Sequence, residues 1–152
     1  MRVFRLSKGK YKNVLSGVGA SLYGQRWNSK GTEIIYSASS RALAAWELAV
    51  HVSLNILPKD YYMIEIEIPG DTSITEISEA DLPQDWNSIP DQGLCRAFGD
   101  EFIENNEFAV MKVPSVSVKG DFNYLINPFH EDFKRINIIS AKLFPFDPRI
   151  GS

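Results

Sequence analysis

The nine residues "YYMIEIEIP", Tyr61–Pro69, are the stretch on which the fold turns. Tyr62, Ile64, Ile66 and Ile68 recur at every second position, with Met63, Glu65 and Glu67 between them. A period of two sends alternate side chains to opposite faces of a strand. One face is apolar and the other carries two carboxylates, so the strand is half-buried. Half-buried strands pair with antiparallel neighbours, whereas strands of a doubly covered parallel sheet are apolar throughout.

Working outward from that strand, "RALAAWELAVHVSLN" (41–55) reads as a helix that ends before Pro58. Leu43, Trp46, Val50 and Leu54 form its expected apolar stripe. Ser39 or Ser40 can cap it. Before it, "TEIIYSA" (32–38) is rich in β-branched and aromatic residues and reads as a strand. "RVFRL" (2–6) reads as another. Residues 7–31 hold five glycines and little periodicity. They are expected to form a long loop with a short helix near Val14, and such loops are commonly functional.

On the C-terminal side, residues 71–91 form a polar connector with turn signals at each proline. "QGLCRAFGDEFIENN" (92–106) fits a helix with Leu94, Phe98 and Phe102 in line. "FAVMKVPSVSV" (108–118) is a strand broken at Pro114, and "DFNYLINP" (121–128) is a strand stopped by Pro128. "FKRINIISAKLFPFDPRI" (133–150) supplies a last strand and a tail. Strands outnumber helices and alternate irregularly with them. The expected fold is a single α+β domain over residues 1–150, with a mostly antiparallel or mixed sheet and flanking helices. Gly151 and Ser152 read as a cloning scar.

A chain of 152 residues can bury a core without disulfides or metals. Its net charge of −3 gives no footprint for nucleic-acid binding. A local cationic pocket can still take an anion. The single cysteine, Cys95, builds no disulfide framework and no thiolate zinc site, and reads as a small core residue. No apolar run approaches the ~20 residues of a membrane span, and the N-terminus lacks a signal-peptide core. A cytoplasmic protein is the expectation.

Among the polar residues, Glu47 falls inside the apolar stripe of its helix. Burying a carboxylate there is costly unless it is paired or faces a cavity. It is therefore an ion-pair partner, a group that a tilted helix brings to water, or a functional group. His51 lies one turn on, but with His130 the only other histidine no metal set is evident. Arg26, in "YGQRWN", reads on its own as a loop arginine or a cation–π partner of Trp27. Tyr36 is a strand aromatic. Ser115 follows Pro114 at a strand break, where a hydroxyl can be exposed or can satisfy a turn. The dinucleotide fingerprint, the Walker loop and the esterase elbow are missing.

The order of these residues is more specific than any one of them. The stretches "GQRWNSKGTEIIYSASSRALAAWELAVH" (24–51), "VPSVSV" (113–118), "FNYLINPFH" (122–130) and "FDPRI" (146–150) together resemble RES-domain toxins, the toxic half of RES–Xre toxin–antitoxin pairs. Gln25 stands where that family often has a second glycine. The resemblance implies a fold related to ADP-ribosyltransferases and an Xre-type DNA-binding antitoxin as partner. It implies NAD as substrate, with no resident cofactor or metal. Arg26, Tyr36, Glu47 and Ser115 map onto its catalytic residues, and Asn123 joins Arg26, Tyr36 and Ser115 in the NAD pocket.

Breaking the nicotinamide–ribose bond creates an oxocarbenium-like cation, which a carboxylate stabilises. An arginine fork suits a diphosphate, and a tyrosine face suits a nicotinamide ring. Water, phosphate or a protein side chain could accept the ADP-ribose. Two other readings compete. One is a binding module in which Arg26 and Glu47 form a structural ion pair. The other is a hydrolase using Ser115 with His51 or His130.

Overall fold

A computed structural model describes residues 1–52 and 57–151. Seven strands form one mixed sheet: β1 (Arg2–Lys8), β2 (Ile35–Ala38), β3 (Tyr61–Glu67), β4 (Ile74–Glu76), β5 (Val110–Pro114), β6 (Phe122–Ile126) and β7 (Asn137–Leu143). Their order is β4-β5-β6-β2-β1-β3-β7. Only β4 and β5 pair in parallel. Among the described residues the α-helices are α1 (Val18–Tyr23), α2 (Arg41–His51) and α3 (Arg96–Asn105). The expected α+β class with a mixed sheet is the one observed.

One face of the sheet buries Val3, Ile35, Ile64, Ile66, Val110 and Ile126 in a single cluster. The alternation in β3 holds for Ile64 and Ile66, but Met63 is buried as well. It packs with Phe4, Ala38, Leu43 and Ala44, because α2 covers the second face at this point. Glu65, farther along that face, pairs with Arg2 and Arg41.

The Ser40 hydroxyl caps α2 by accepting from the Leu43 N–H. The expected stripe of this helix is corrected. Leu43, Ala44 and Ala49 are buried, whereas Trp46 and Val50 are about half exposed. Small alanines let the helix lie close on the sheet, which rotates the bulky side chains outward. Leu54 lies outside the described residues. The short helix expected near Val14 forms at Val18–Tyr23. α3 begins at Arg96, so Leu94 stays outside it, and β4 lies in what reads as a polar connector.

One topological detail places the site. β1 and β3 are paired along their whole length, from Arg2↔Glu67 to Lys8↔Tyr61. β1 and β2 meet at one pair, Phe4↔Ala38. Beyond that pair the two strands part, and a cleft opens between them.

Candidate active site

The cleft has a volume of about 850 Å³. Phe4, Arg5 and Leu6 line it from β1, Tyr36 and Ser37 from β2, and Ala44, Glu47 and Leu48 from α2. Asn123 of β6 also reaches it, since Asn123 pairs with Ala38 in the ladder. The Asn123 amide donates to Glu47 Oε1 at 2.7 Å and to the Ser37 carbonyl at 3.2 Å. Burial pushes the Glu47 carboxyl up to about 7, against the opposing hydrogen bond from Asn123. Its proton is therefore exchanged near neutral pH. A carboxylate so placed can stabilise a developing cation or hold a hydroxyl.

The loop before β2 is built around Tyr36 and Asn28. The Tyr36 hydroxyl donates to Asn28 Oδ1 at 2.6 Å and accepts from the Trp27 N–H at 3.1 Å. Burial pushes its pKa well above the ordinary phenol value. Asn28 is wholly buried, and its amide donates to the carbonyls of Ala20, Ser29 and Thr32. Asp100 of α3 fixes the next residue, accepting from the Ser29 N–H at 2.8 Å and from its hydroxyl at 2.5 Å. α3 approaches so closely at Gly99 that a Cβ there would lie 1.6 Å from the Trp27 carbonyl oxygen.

This scaffold presents Arg26 to the cleft wall. Its Nη1 donates to the Trp86 carbonyl at 2.9 Å and to Asp91 Oδ1 at 3.4 Å, and its Nη2 donates to the Ser88 carbonyl at 3.0 Å. Trp86 in turn packs on Trp27, with ring centroids 6.3 Å apart. Arg26 and Glu47 do not pair. Arg26 takes Asp91 and Glu47 takes Asn123, and both residues line the open cleft. The contact that the binding-module reading requires is not made.

Arg5 is the residue that sequence reasoning missed. It lines the cleft, and its buried Nη1 has no hydrogen-bond partner among the described residues. Burial lowers its proton affinity, but a guanidinium remains charged. An unmatched cation of this kind is costly unless an anion completes it. The signal was present in "RVFRL": one arginine stands between Val3, Phe4 and Leu6.

Ser115 does not line the cleft. It is buried, its hydroxyl accepts from the Val118 N–H at 3.1 Å, and its N–H donates to the Asp121 carbonyl. It shapes the turn that brings Val116 and Ser117 into the lining. His51 is exposed at the cleft, while His130 caps a short turn by accepting from the Asp132 N–H. The hydrolase reading needs a Ser115–histidine contact, and the hydroxyl is engaged elsewhere. Cys95 is buried, as expected. Among the described residues no group of three or more side chains is gathered to hold a metal ion, and no helix is long and apolar enough to cross a membrane.

The cleft thus lies at the parting of two strands, with a helix carboxylate on one side and Arg5, Arg26 and Arg96 in its lining. The sequence matches the RES domain over residues 2–147, and the chain belongs to that family. A Sphingobium protein named "Prs ADP-ribosylating toxin" is 39% identical over 138 residues, which cover 90% of this chain and 86% of the relative. A Photorhabdus laumondii protein named "Toxin Res" is 35% identical over 152 residues, covering 99% and 97%. The fold is that of a chain in the crystal structure of the M. tuberculosis MbcT–MbcA toxin–antitoxin complex. The TM-score is 0.75 at 17% identity, over 99% of this chain and 86% of that one.

Proposed function

We propose that this protein is the toxin of a toxin–antitoxin pair and that it cleaves the nicotinamide–ribose bond of NAD. One observation carries the reading: a single cleft holds both Glu47, whose carboxyl burial pushes up to about 7, and Arg5, a cation without a partner. NAD needs both, an anion-binding group for its diphosphate and a carboxylate for the cation formed at its ribose. The relatives' names, "Prs ADP-ribosylating toxin" and "Toxin Res", support the toxin part of the reading.

In this reading NAD is the substrate and no resident cofactor is required. Glu47, held by Asn123, stabilises the ribosyl cation. Tyr36 offers the face of its ring, because its hydroxyl is engaged with Asn28 and Trp27. Arg5 brings a buried cation without a partner to the diphosphate, and Arg26 adds positive charge from the wall. Ser115 serves through its turn, at the end of which Ser117 meets the ligand. The acceptor is water or phosphate, giving NAD degradation. A protein acceptor is the alternative that the Sphingobium relative's name favours. The partner is an Xre-type antitoxin, and the toxin works in the cytoplasm, where NAD is available to it.

The test is incubation with NAD, with and without inorganic phosphate, followed by mass analysis. Free nicotinamide together with ADP-ribose or its phosphorylated form is the expected result. Intact NAD under every condition, including in the presence of a cell extract as protein acceptor, refutes the reading.

A further inference from the structure

We infer that Asp91 is a positioning residue of the cleft, and that Arg26 acts through the wall that Asp91 and Arg26 together hold in place. The wall segment, residues 86–91, has no regular secondary structure. Ile89 at its tip is 83% exposed, yet Ile89, Pro90 and Asp91 line the cleft. Little apolar packing fixes this segment beyond Trp86, so polar ties must do it.

Those ties converge on one carboxylate. Asp91 Oδ1 meets Arg26 Nη1 at 3.4 Å and accepts from the Gly93 N–H at 2.9 Å. Asp91 Oδ2 lies 3.9 Å from Arg96 Nη2. Arg96 Nε donates to the Gln25 carbonyl at 3.4 Å, which returns the chain of contacts to the loop that carries Arg26. Arg26 closes the circuit with its bonds to the carbonyls of Trp86 and Ser88. Two loops distant in sequence, 24–28 and 86–96, are thereby fastened into one side of the cleft.

A carboxylate in a cleft that takes a diphosphate repels its ligand unless it does something else. Here it sits between two arginines and orients both. The direct-clamp view of Arg26 makes the opposite prediction: removing Asp91 frees a guanidinium for phosphate and removes a repelling charge, so NAD should bind more tightly.

Asp91→Ala and Asp91→Asn distinguish the two. The first readout needs no NAD. Amide hydrogen exchange is followed at Trp86 and Ser88, whose N–H groups bond to the Pro83 and Asp85 carbonyls and not to Asp91. Exchange there is expected to quicken by roughly tenfold in Asp91→Ala, the worth of a charged hydrogen bond. The second readout is kinetic and rests on the NAD reading. KM for NAD is expected to rise by roughly tenfold with kcat within about twofold, and Asp91→Asn, which keeps an acceptor, should recover part of both effects. Unchanged exchange, or an unchanged or lowered KM, overturns the inference. If the wild-type protein consumes no NAD, the functional reading fails, and exchange alone decides the role of Asp91. If Asp91→Ala does not fold, Asp91→Asn carries the same two measurements.

Discussion

Replacing Glu47 by glutamine tests the site and the energetics of the fold together. In the folded protein this carboxyl is raised from 4.5 to about 7. Between those values the folded state binds a proton that the unfolded state has released. The group therefore withdraws stability as pH rises from 4.5, and the loss is complete above about 7. At about 1.4 kcal/mol per pH unit of displacement, the full cost is about 3 kcal/mol. Glutamine still accepts from Asn123 but carries no charge. At pH 8.5 the variant is expected to melt roughly 6–12 °C above the wild type, from ~2–4 °C per kcal/mol for a domain of this size. At pH 4 the difference should nearly vanish. On the NAD reading, turnover should fall by about two to three orders of magnitude, since a neutral amide would replace the carboxylate assigned to the developing cation. Thermal scans at both pH values and turnover at pH 8.5, on one preparation, give the answer. A variant less stable than wild type at pH 8.5 would refute the burial argument, and wild-type turnover would falsify the catalytic assignment.

If Glu47 acts in its ionised form, as the NAD reading requires, the wild-type rate of NAD cleavage should rise about tenfold per pH unit below pH 7 and level off above it; a flat profile from pH 5 to 8 contradicts this. Arg5→Met should leave the melting temperature equal or higher while weakening NAD binding by at least about tenfold, since it removes an unpaired buried cation and a phosphate donor at once; calorimetric titration and a thermal scan check both halves. Tyr36→Phe leaves Asn28 Oδ1 and the Trp27 N–H without their partner, and chemical unfolding should show a loss of about 1–3 kcal/mol. Gly99→Ala forces the Trp27 carbonyl away from α3, and it should lower stability by about 3 kcal/mol or more; a well-folded variant of wild-type stability contradicts the packing described.

The strands were legible because β-branched residues and prolines mark them. "TEIIYSA", "FAVMKVP", "DFNYLINP" and the alternating β3 all form strands. β4 was not legible, since three residues of an exposed edge carry no period. The α2 stripe misled because size and burial diverge there: its alanines pack inward and Trp46 faces out. Arg26, Tyr36, Glu47 and Asn123 could be found from motif order, and all four line the cleft. Arg5 showed only as a lone arginine among apolar strand residues, and Asp91 gave no signal in the sequence. Their significance lies in what surrounds them: for Arg5 a burial without a partner, for Asp91 two arginines from distant segments.

The single pair Phe4↔Ala38 divides the sheet into two leaves, β1-β3-β7 and β2-β6-β5-β4. Backbone rungs stitch each leaf internally, while the seam between them has almost none. The Glu47–Asn123 hydrogen bond ties the helix laid over the seam to the second leaf. Arg5 on one leaf and Tyr36 on the other both line the cleft, so a ligand bound to both would supply crosslinks that the ladder omits. The domain is in this sense an open book with a narrow spine. Its amides along the seam should be the first to exchange, and a bound ligand should make the two leaves melt as one.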